Sequence, residues 1–223
     1  MDNVWARPRK DPKPRLTLDR IVAEAVALLD EEGVGRLTMR RLADRLGTGS
    51  TTLYWHVKTK EDVLDLALDA VFGEVPLPGL DTAFGEVPIS APGDDWRAAA
   101  RDLMGGWRAA LLRHPWSATI LDRPLMGPNA LDRTEFLYRT LTAAGLDGPR
   151  AAYSLSNYVM GSVIMQVTWQ ERDRADTGAF LRERAGRYPA LAEHGLGHDW
   201  DATFATGLGY LLRGMEHETG RLG

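Results

Sequence analysis

From Thr17 to His217, apolar residues recur at intervals of three and four, the period of a helix that buries one face. No stretch of useful length alternates apolar with polar as a half-buried strand would. Glycine and proline punctuate this pattern at short intervals, and the spacing predicts an all-α fold. With 223 residues the chain has room for two domains, at roughly 100–200 residues each.

The first periodic segment is LDRIVAEAVALLDEEG behind Thr17, which places Ile21, Ala25, Leu28 and Leu29 on one face and stops at Gly33. Thr38 is positioned to cap a second, short helix, MRRLADRLG, with Leu42, Ala43 and Leu46 inward and Gly47 at its end. After Gly47-Thr48-Gly49 a third short segment, Ser50 to Val57, points Leu53 and Val57 at its neighbours. A fourth helix runs from Lys60 to Val71, with Val63, Leu64, Ala67, Leu68 and Val71 apolar. Residues 1–15 hold three prolines and five basic residues without periodicity and read as a flexible basic arm. Residues 16–61 are expected to form one domain and 62–223 a second.

Between Gly73 and Asp95 four glycines and four prolines exclude a regular element. There Phe72-Gly73-Glu74-Val75-Pro76 recurs as Phe84-Gly85-Glu86-Val87-Pro88, the trace of a local duplication in a loop where extra length costs little. Helical patterns resume over 96–113, 130–144, 149–172, 179–187 and 201–217, with a short apolar piece at 116–121.

Charge separates the two regions. Residues 1–60 carry 12 Lys and Arg against 8 Asp and Glu, whereas the chain as a whole is at −4 and its remainder is acidic. All four lysines, Lys10, Lys13, Lys58 and Lys60, lie in the first region. A basic head on an acidic body suits a module that meets a polyanion joined to one that does not, the alternative being chance clustering of solvated charge. The absence of cysteine excludes disulfides, thiolate metal sites and cysteine nucleophiles. No apolar run approaches the ~20 residues needed to span a bilayer, and the basic N-terminus has no apolar segment behind it. A cytoplasmic location is expected.

Two short helices around a glycine turn make a helix-turn-helix, the unit that lays its second helix in the major groove of DNA. The side chains suit that task. Ser50, Thr51 and Thr52 are small hydroxyl residues at the start of the second helix, able to approach base edges or phosphates. Tyr54, His56, Lys58 and Lys60 offer donors to backbone oxygens, and Arg40 carries a fork that fits a guanine edge. The same hairpin can also serve packing alone.

The stretches Leu37-Thr38-Met39-Arg40-Arg41-Leu42-Ala43 and Thr52-Leu53-Tyr54-Trp55-His56-Val57-Lys58-Thr59-Lys60 resemble the signature of the tetracycline-repressor (TetR) family of regulators. The resemblance is specific over about residues 16–71 and looser beyond, where Ala110-Leu111-Leu112-Arg113-His114-Pro115 takes part. It implies base-reading roles for Arg40, Ser50, Thr51 and Thr52, and phosphate contacts for Thr38, Tyr54, His56 and Lys60. Trp55 matches a position packed near the duplex, and Leu42, Leu46, Leu53 and Val57 match core. Gly49 departs from the longer residue common there, which implies a looser start to the reading helix. Arg7, Arg9, Lys10, Lys13 and Arg15 are an addition, placed to touch the minor groove or flanking phosphates unless they form a solvated tail.

The resemblance further implies a C-terminal domain that dimerises and binds a small molecule. The helices at 150–172 and 201–217 are the expected dimer elements. Gly161, Ala202, Ala205 and Gly209 keep their faces small, and Leu208 and Leu212 offer apolar area. Effector candidates are Trp107, Trp116, Tyr153, Asn157, Met160, Met165 and Trp169, each otherwise plain core. Tyr153, Asn157, Met160 and Ile164 share a helical face, and a void lined by Trp107, Tyr153 and Asn157 is the expected pocket.

The tetracycline-repressor branch holds magnesium through side chains whose places fall here near Pro76, Leu121 and Met165. None offers the oxygen ligands magnesium needs. A metal-free, apolar or aromatic effector is therefore expected, with no cofactor. Two other readings compete. One is a DNA-binding dimer without effector. The other is a metal-dependent enzyme using the segment Glu193-His194-Gly195-Leu196-Gly197-His198-Asp199-Trp200-Asp201, whose glycines argue instead for a polar connection. No nucleophile elbow or phosphate loop is present.

Overall fold

The computed structural model describes residues 16–77, 95–171, 177–197 and 199–219. The basic arm at 1–15 and most of the Gly/Pro segment, including its Phe84–Pro88 repeat, lie outside the described residues. Among those described the regular elements are helices: α1 Leu18–Glu32, α2 Met39–Arg45, α3 Ser50–Tyr54, α4 Lys60–Gly73, α5 Trp96–Arg113, α6 Pro128–Ala143, α7 Gly148–Glu171, α8 Thr177–Arg182, α9 Pro189–His194 and α10 Trp200–Thr219. The all-α expectation is met. The chain divides into two compact units between Ala67 and Leu68, within α4.

In the N-terminal unit α1 starts where the Thr17 hydroxyl accepts the Arg20 N–H at 3.3 Å. Its buried face, Ile21, Ala25, Leu28 and Leu29, is the one read from periodicity. Leu42 and Ala43 of α2 and Leu53 of α3 are buried as well, with Leu37, Leu46, Val57, Val63, Leu64 and Ala67 completing the core. α4 opens with a reciprocal cap. The Thr59 hydroxyl accepts the Asp62 N–H at 3.0 Å, and the Asp62 carboxylate accepts the N–H groups of Lys58 and Thr59 at 2.8 and 3.0 Å. Those bonds, from Thr59 first, hold the Asp62 carboxyl below its ordinary pKa.

In the C-terminal unit α5, α6 and α7 pack on one another and α10 packs on α7. The core is Ala100, Leu103, Met104, Trp107 and Leu111 of α5, Phe136, Leu137 and Leu141 of α6, Leu155, Val159 and Val163 of α7, and Phe204, Leu208 and Leu212 of α10. Phe72, near the end of α4, meets Trp107 edge-on with ring centroids 5.3 Å apart. α9, six residues opened by Pro189, falls where periodicity is too short to register.

α4 and α6 are joined end to side by a reciprocal lock. α6 has no cap of its own at Gly127; Asp69 of α4 serves instead, accepting the Asn129 and Ala130 N–H groups at 3.3 and 2.9 Å and the Asn129 side-chain amide at 3.0 Å. Gly127 is required by this approach, since a Cβ there would lie 2.2 Å from the Asp69 carboxyl carbon. In return Arg133 of α6 reaches the end of α4. It donates to the Gly73 carbonyl at 3.0 Å and, through Nε at 2.9 Å and Nη2, to the Val75 carbonyl. Nη1 holds the Asn129 carbonyl at 2.9 Å. Burial pushes the Arg133 guanidinium below its ordinary pKa, against the pull of Asp132 and Asp69. Glu74 ties the same exit to α5, taking Arg113 at 2.5 Å and His114 Nε2 at 2.8 Å. Burial opposes the Glu74 charge, but those two donors outweigh it and leave the carboxyl below its ordinary pKa.

Arg133→Met keeps the aliphatic stem and removes every donor from two backbone carbonyls at a helix end. It is expected to destabilise the C-terminal unit by about 2–4 kcal/mol, measured by urea unfolding of wild type and variant. A loss below about 0.5 kcal/mol, the noise of a neutral surface change, shows that water serves those carbonyls equally well.

Candidate functional site

The first site is built on α2, its glycine turn and α3. Thr38 caps α2 by accepting the Arg41 N–H at 3.2 Å, which leaves its own O–H free to donate outward. After Leu46 the backbone turns through Gly47 at φ +64, a conformation that side chains resist. The Thr48 N–H returns to the Ala43 carbonyl at 3.0 Å. α3 then starts at Gly49 without a side-chain cap, and the Gly49 carbonyl accepts the Thr52 and Leu53 N–H groups at 3.0 and 3.2 Å. Leu53 and Val57 bury themselves, and the rest of the segment is turned outward.

That outward face collects the residues picked from sequence. Arg40, Thr51, Thr52, Tyr54, Trp55, His56 and Lys58 are exposed, Thr38 is exposed beside its cap, and Ser50 and Lys60 are half-buried. Trp55 is 79% exposed, a large cost in open apolar area unless something covers it. Lys58 donates to the Tyr54 carbonyl at the end of α3 at 2.8 Å and lies 5.9 Å from the Trp55 ring centroid. Lys60 is partly engaged inward, its ammonium donating to the Val34 carbonyl at 2.8 Å.

The three arginines of α2 divide by role. Arg41 pairs with Glu32 at 2.5 Å, and Arg45 holds both Glu24 and Glu31 at 2.5 Å. The Arg45 hydrogen bond also keeps the Glu31 carboxyl below its ordinary pKa. Arg40 makes no hydrogen bond or ion pair with the described residues, so its charge and five donors stay available. The arrangement presents hydroxyls, an imidazole, one free guanidinium and an indole on a ridge the width of a short helix. Such a ridge can enter a groove and contact both base edges and phosphates.

The second set of candidates does not converge. Trp107 and Trp116 are buried in the C-terminal unit, whereas Tyr153 is 67% exposed, Asn157, Met165 and Trp169 are exposed and Met160 is half-buried. The expected void lined jointly by Trp107, Tyr153 and Asn157 is therefore not formed. α7 carries two apolar stripes, and the aliphatic one through Ala152, Leu155, Val159, Val163 and Val167 turned inward. Period alone identified the Tyr153–Asn157–Met160–Ile164 face without giving its direction. Trp169 instead meets Trp200 at 6.4 Å.

The dimer candidates are corrected in one respect. Leu208 and Leu212 are buried within the protomer and offer no surface. Gly207 lets Tyr158 close on α10, where its hydroxyl donates to the Phe204 carbonyl at 3.0 Å and its ring stacks on Phe204 at 5.4 Å. Gly161, Ala202 and Ala205 are exposed, and Gly209 is half-buried.

Arg108 and Gln166 were missed. Arg108 is nearly buried, donates to Gln166 Oε1 at 2.5 Å, pairs with Asp201 at 2.7 Å and lies 4.8 Å from the Phe204 ring centroid. Each interrupts an apolar face in sequence, Arg108 between Trp107 and Leu111, Gln166 between Val163 and Val167. A polar residue on such a face is the signal that could have found them.

The carboxylates of the His194–Asp201 segment have structural work. Asp199 caps α10 through the Asp201 and Ala202 N–H groups at 2.9 and 3.0 Å, and Asp201 serves Arg108. His198 lies outside the described residues, and among those described no group of three His, Asp or Glu could hold a metal ion. Pro76 and Met165 are exposed, and Leu121 is nearly buried. None of the described helices is long and apolar enough to cross a membrane.

Comparison with known proteins bears on both units. Residues 21–67 match the model for bacterial regulatory proteins of the tetR family, and residues 88–219 match the tetracyclin repressor-like C-terminal domain. An HTH-type transcriptional regulator of Saccharopolyspora erythraea is 48% identical over 97% of this chain and 92% of its own. The HTH-type transcriptional repressor DrrR1 of Streptomyces coeruleorubidus is 36% identical over 94% of this chain and 81% of its own. Among solved structures, ActR of Streptomyces coelicolor in complex with actinorhodin superposes with a TM-score of 0.77 at 28% identity, covering 93% of this chain and all of that one.

Proposed function

The chain belongs to the tetR family of bacterial regulatory proteins, a family of helix-turn-helix transcriptional regulators rather than enzymes, and on that premise we propose that it is a repressor that binds a palindromic operator as a homodimer and leaves it when a small apolar or aromatic effector binds. The observation that carries the DNA-reading part is the exposed ridge of α3 beside an unpaired Arg40. Arg40, Ser50, Thr51 and Thr52 read base edges; Thr38, Tyr54, His56, Lys58 and Lys60 hold phosphates; Trp55 covers its apolar face against the backbone. One short helix reads too few bases for useful selectivity. A twofold pair sets two such helices about 34–36 Å apart, one turn of the duplex.

The partner face is α7 with α10. Tyr153, Ile164, Met165 and Trp169 of α7 and Tyr210 of α10 are exposed apolar groups, and Gly161, Ala202 and Ala205 between them allow close backbone approach. Tyr153 and Asn157, both exposed, belong to this surface rather than to the effector site. The effector enters the C-terminal unit, a reading supported by the actinorhodin complex of the similar ActR. It is metal-free, because Pro76, Leu121 and Met165 put no side-chain oxygen where a hard cation would need one. Binding shifts the population toward a state with the reading helices out of register.

Two experiments test this. Fluorescence anisotropy on operators altered one base pair at a time is expected to show Arg40→Ala losing about 1–3 kcal/mol on the native site and nothing further at one altered pair. Lys60→Ala weakens all sequences alike and flattens the salt slope by about one. An equal loss from Arg40→Ala on every operator removes its base-reading role. For the dimer, a Cβ at Gly161 meets nothing within 4 Å in the protomer, so Gly161→Arg leaves the fold intact. Light scattering is expected to find that variant monomeric, with operator affinity reduced at least a hundredfold, the order of one half-site's contribution; a dimeric variant displaces the interface from α7.

A further inference from the structure

The ridge that α2 and α3 present is only as well aimed as α2 is held, and α2 is seven residues long. So short a helix takes neither stability nor direction from its own length. Its direction comes from α1. Arg45, the last residue of α2, donates from Nε to Glu24 at 2.5 Å, and from Nη1 and Nη2 to the two oxygens of Glu31 at 2.5 and 3.1 Å. Glu24 and Glu31 are seven positions apart on α1, two turns and about 10 Å along its axis. One planar fork thus spans two anchors on the longer helix, and a group held from both resists sliding along α1. One turn earlier Arg41 pairs with Glu32, and from α1 Arg20 donates to the Leu46 carbonyl just past the end of α2 at 3.4 Å. Arg40 is exposed and lies about 140° around the axis from Arg45 by helical period. Exposed pairs of this kind add little to stability. A fork with three nitrogens committed to one orientation calls for a different account.

We propose that Arg45 is a positioning residue for operator reading: it touches no base, and through Glu24 and Glu31 it sets the angle at which Arg40 and the start of α3 meet base edges. The role rests on the reading that the α2–α3 ridge binds DNA, and adds a source of selectivity outside that ridge. Contacts to phosphate tolerate a range of poses, whereas a bidentate contact to a guanine edge is made in one. Loosening α2 therefore removes discrimination between sequences and leaves general affinity in place. The guanidinium is needed for its shape. A lysine ammonium keeps the charge as a point, and cannot set parallel donors on one carboxylate while reaching a second.

The test uses the full chain and two duplexes of one length, the first selected by the wild type from a random-sequence pool and the second of scrambled sequence. Fluorescence anisotropy across a potassium chloride series gives the ratio of selected to scrambled affinity and the salt slope. Arg45→Lys is expected to lower that ratio about tenfold, the order of one base contact. Its scrambled affinity and salt slope stay as in the wild type, because the charge is kept. Glu31→Gln removes the bidentate partner together with a negative charge. It is expected to lower the ratio likewise, while scrambled affinity holds or rises. A variant that merely folds less well loses both affinities in step and leaves the ratio alone. A ratio unchanged in Glu31→Gln, or in Arg45→Lys where that variant folds, overturns the positioning role and leaves DNA reading standing. If the wild type enriches no sequence from the pool, the proposal falls together with the DNA-reading premise on which it rests.

Discussion

A helix that ends inside a protein turns its last carbonyls toward groups that must answer them, and the end of α4 is such a place. Arg133 answers with two nitrogens, Nε and Nη2, and Asp69 returns the favour at the bare start of α6. Each helix thus supplies the cap the other lacks. The energetic logic is asymmetric: the bonds add little over water when all are made, but leaving a buried guanidinium or a helix end unanswered is costly. Gly127 follows from this, as the one residue that admits the Asp69 carboxylate so close. So does the contact of Glu74 with Arg113 and His114, which fixes the same exit from a third side.

Charge in the N-terminal unit follows a related economy. Arg41 and Arg45 spend their donors on Glu24, Glu31 and Glu32 of α1, pinning α2 to the long helix, while Arg40 is exposed and pairs with none of them. Exposed pairs of this kind contribute little individually; their consequence is orientation. With two of three guanidiniums paired, the positive charge of α2 left unpaired is concentrated on Arg40. Specific reading benefits from that concentration, since diffuse positive charge would raise affinity for every duplex alike.

Much of this was legible from the chain. The buried faces of α1, α2 and α4 follow from spacing, because in short amphipathic helices only one face is apolar enough to bury. The glycine turn and the Thr17 and Thr38 caps are local chemistry with local signatures. What escaped was whatever depends on distance along the chain. Asp69 and Arg133 are some sixty residues apart and look like ordinary surface charge in sequence. α7 offered two apolar stripes, and nothing within its residues says that Val159 goes in and Tyr153 stays out. Leu208 and Leu212 read in sequence as area for a partner copy, whereas the protomer itself buries them. Lys60 is half-buried, and its ammonium donates to Val34, a carbonyl that no motif points to.

A regulator that couples a ligand to DNA needs contacts that stay firm and contacts that yield, and around the end of α4 a strong and a weak contact are neighbours. Coupling between ligand and DNA is typically worth about 1–3 kcal/mol. A hydrogen-bonded lock of the Asp69–Arg133 kind, whose disruption costs as much or more, is too strong to be the element that changes. The edge-on contact of Phe72 with Trp107 is of the right size, about 0.5–1.5 kcal/mol for an aromatic pair beyond its burial. It also sits on the same helix end that the lock holds. A change at this pair would leave Asp69 and Arg133 holding the end of α4 to α6. In that division of labour the polar contacts hold the end of α4 to α6, and the aromatic contact is the one weak enough to yield.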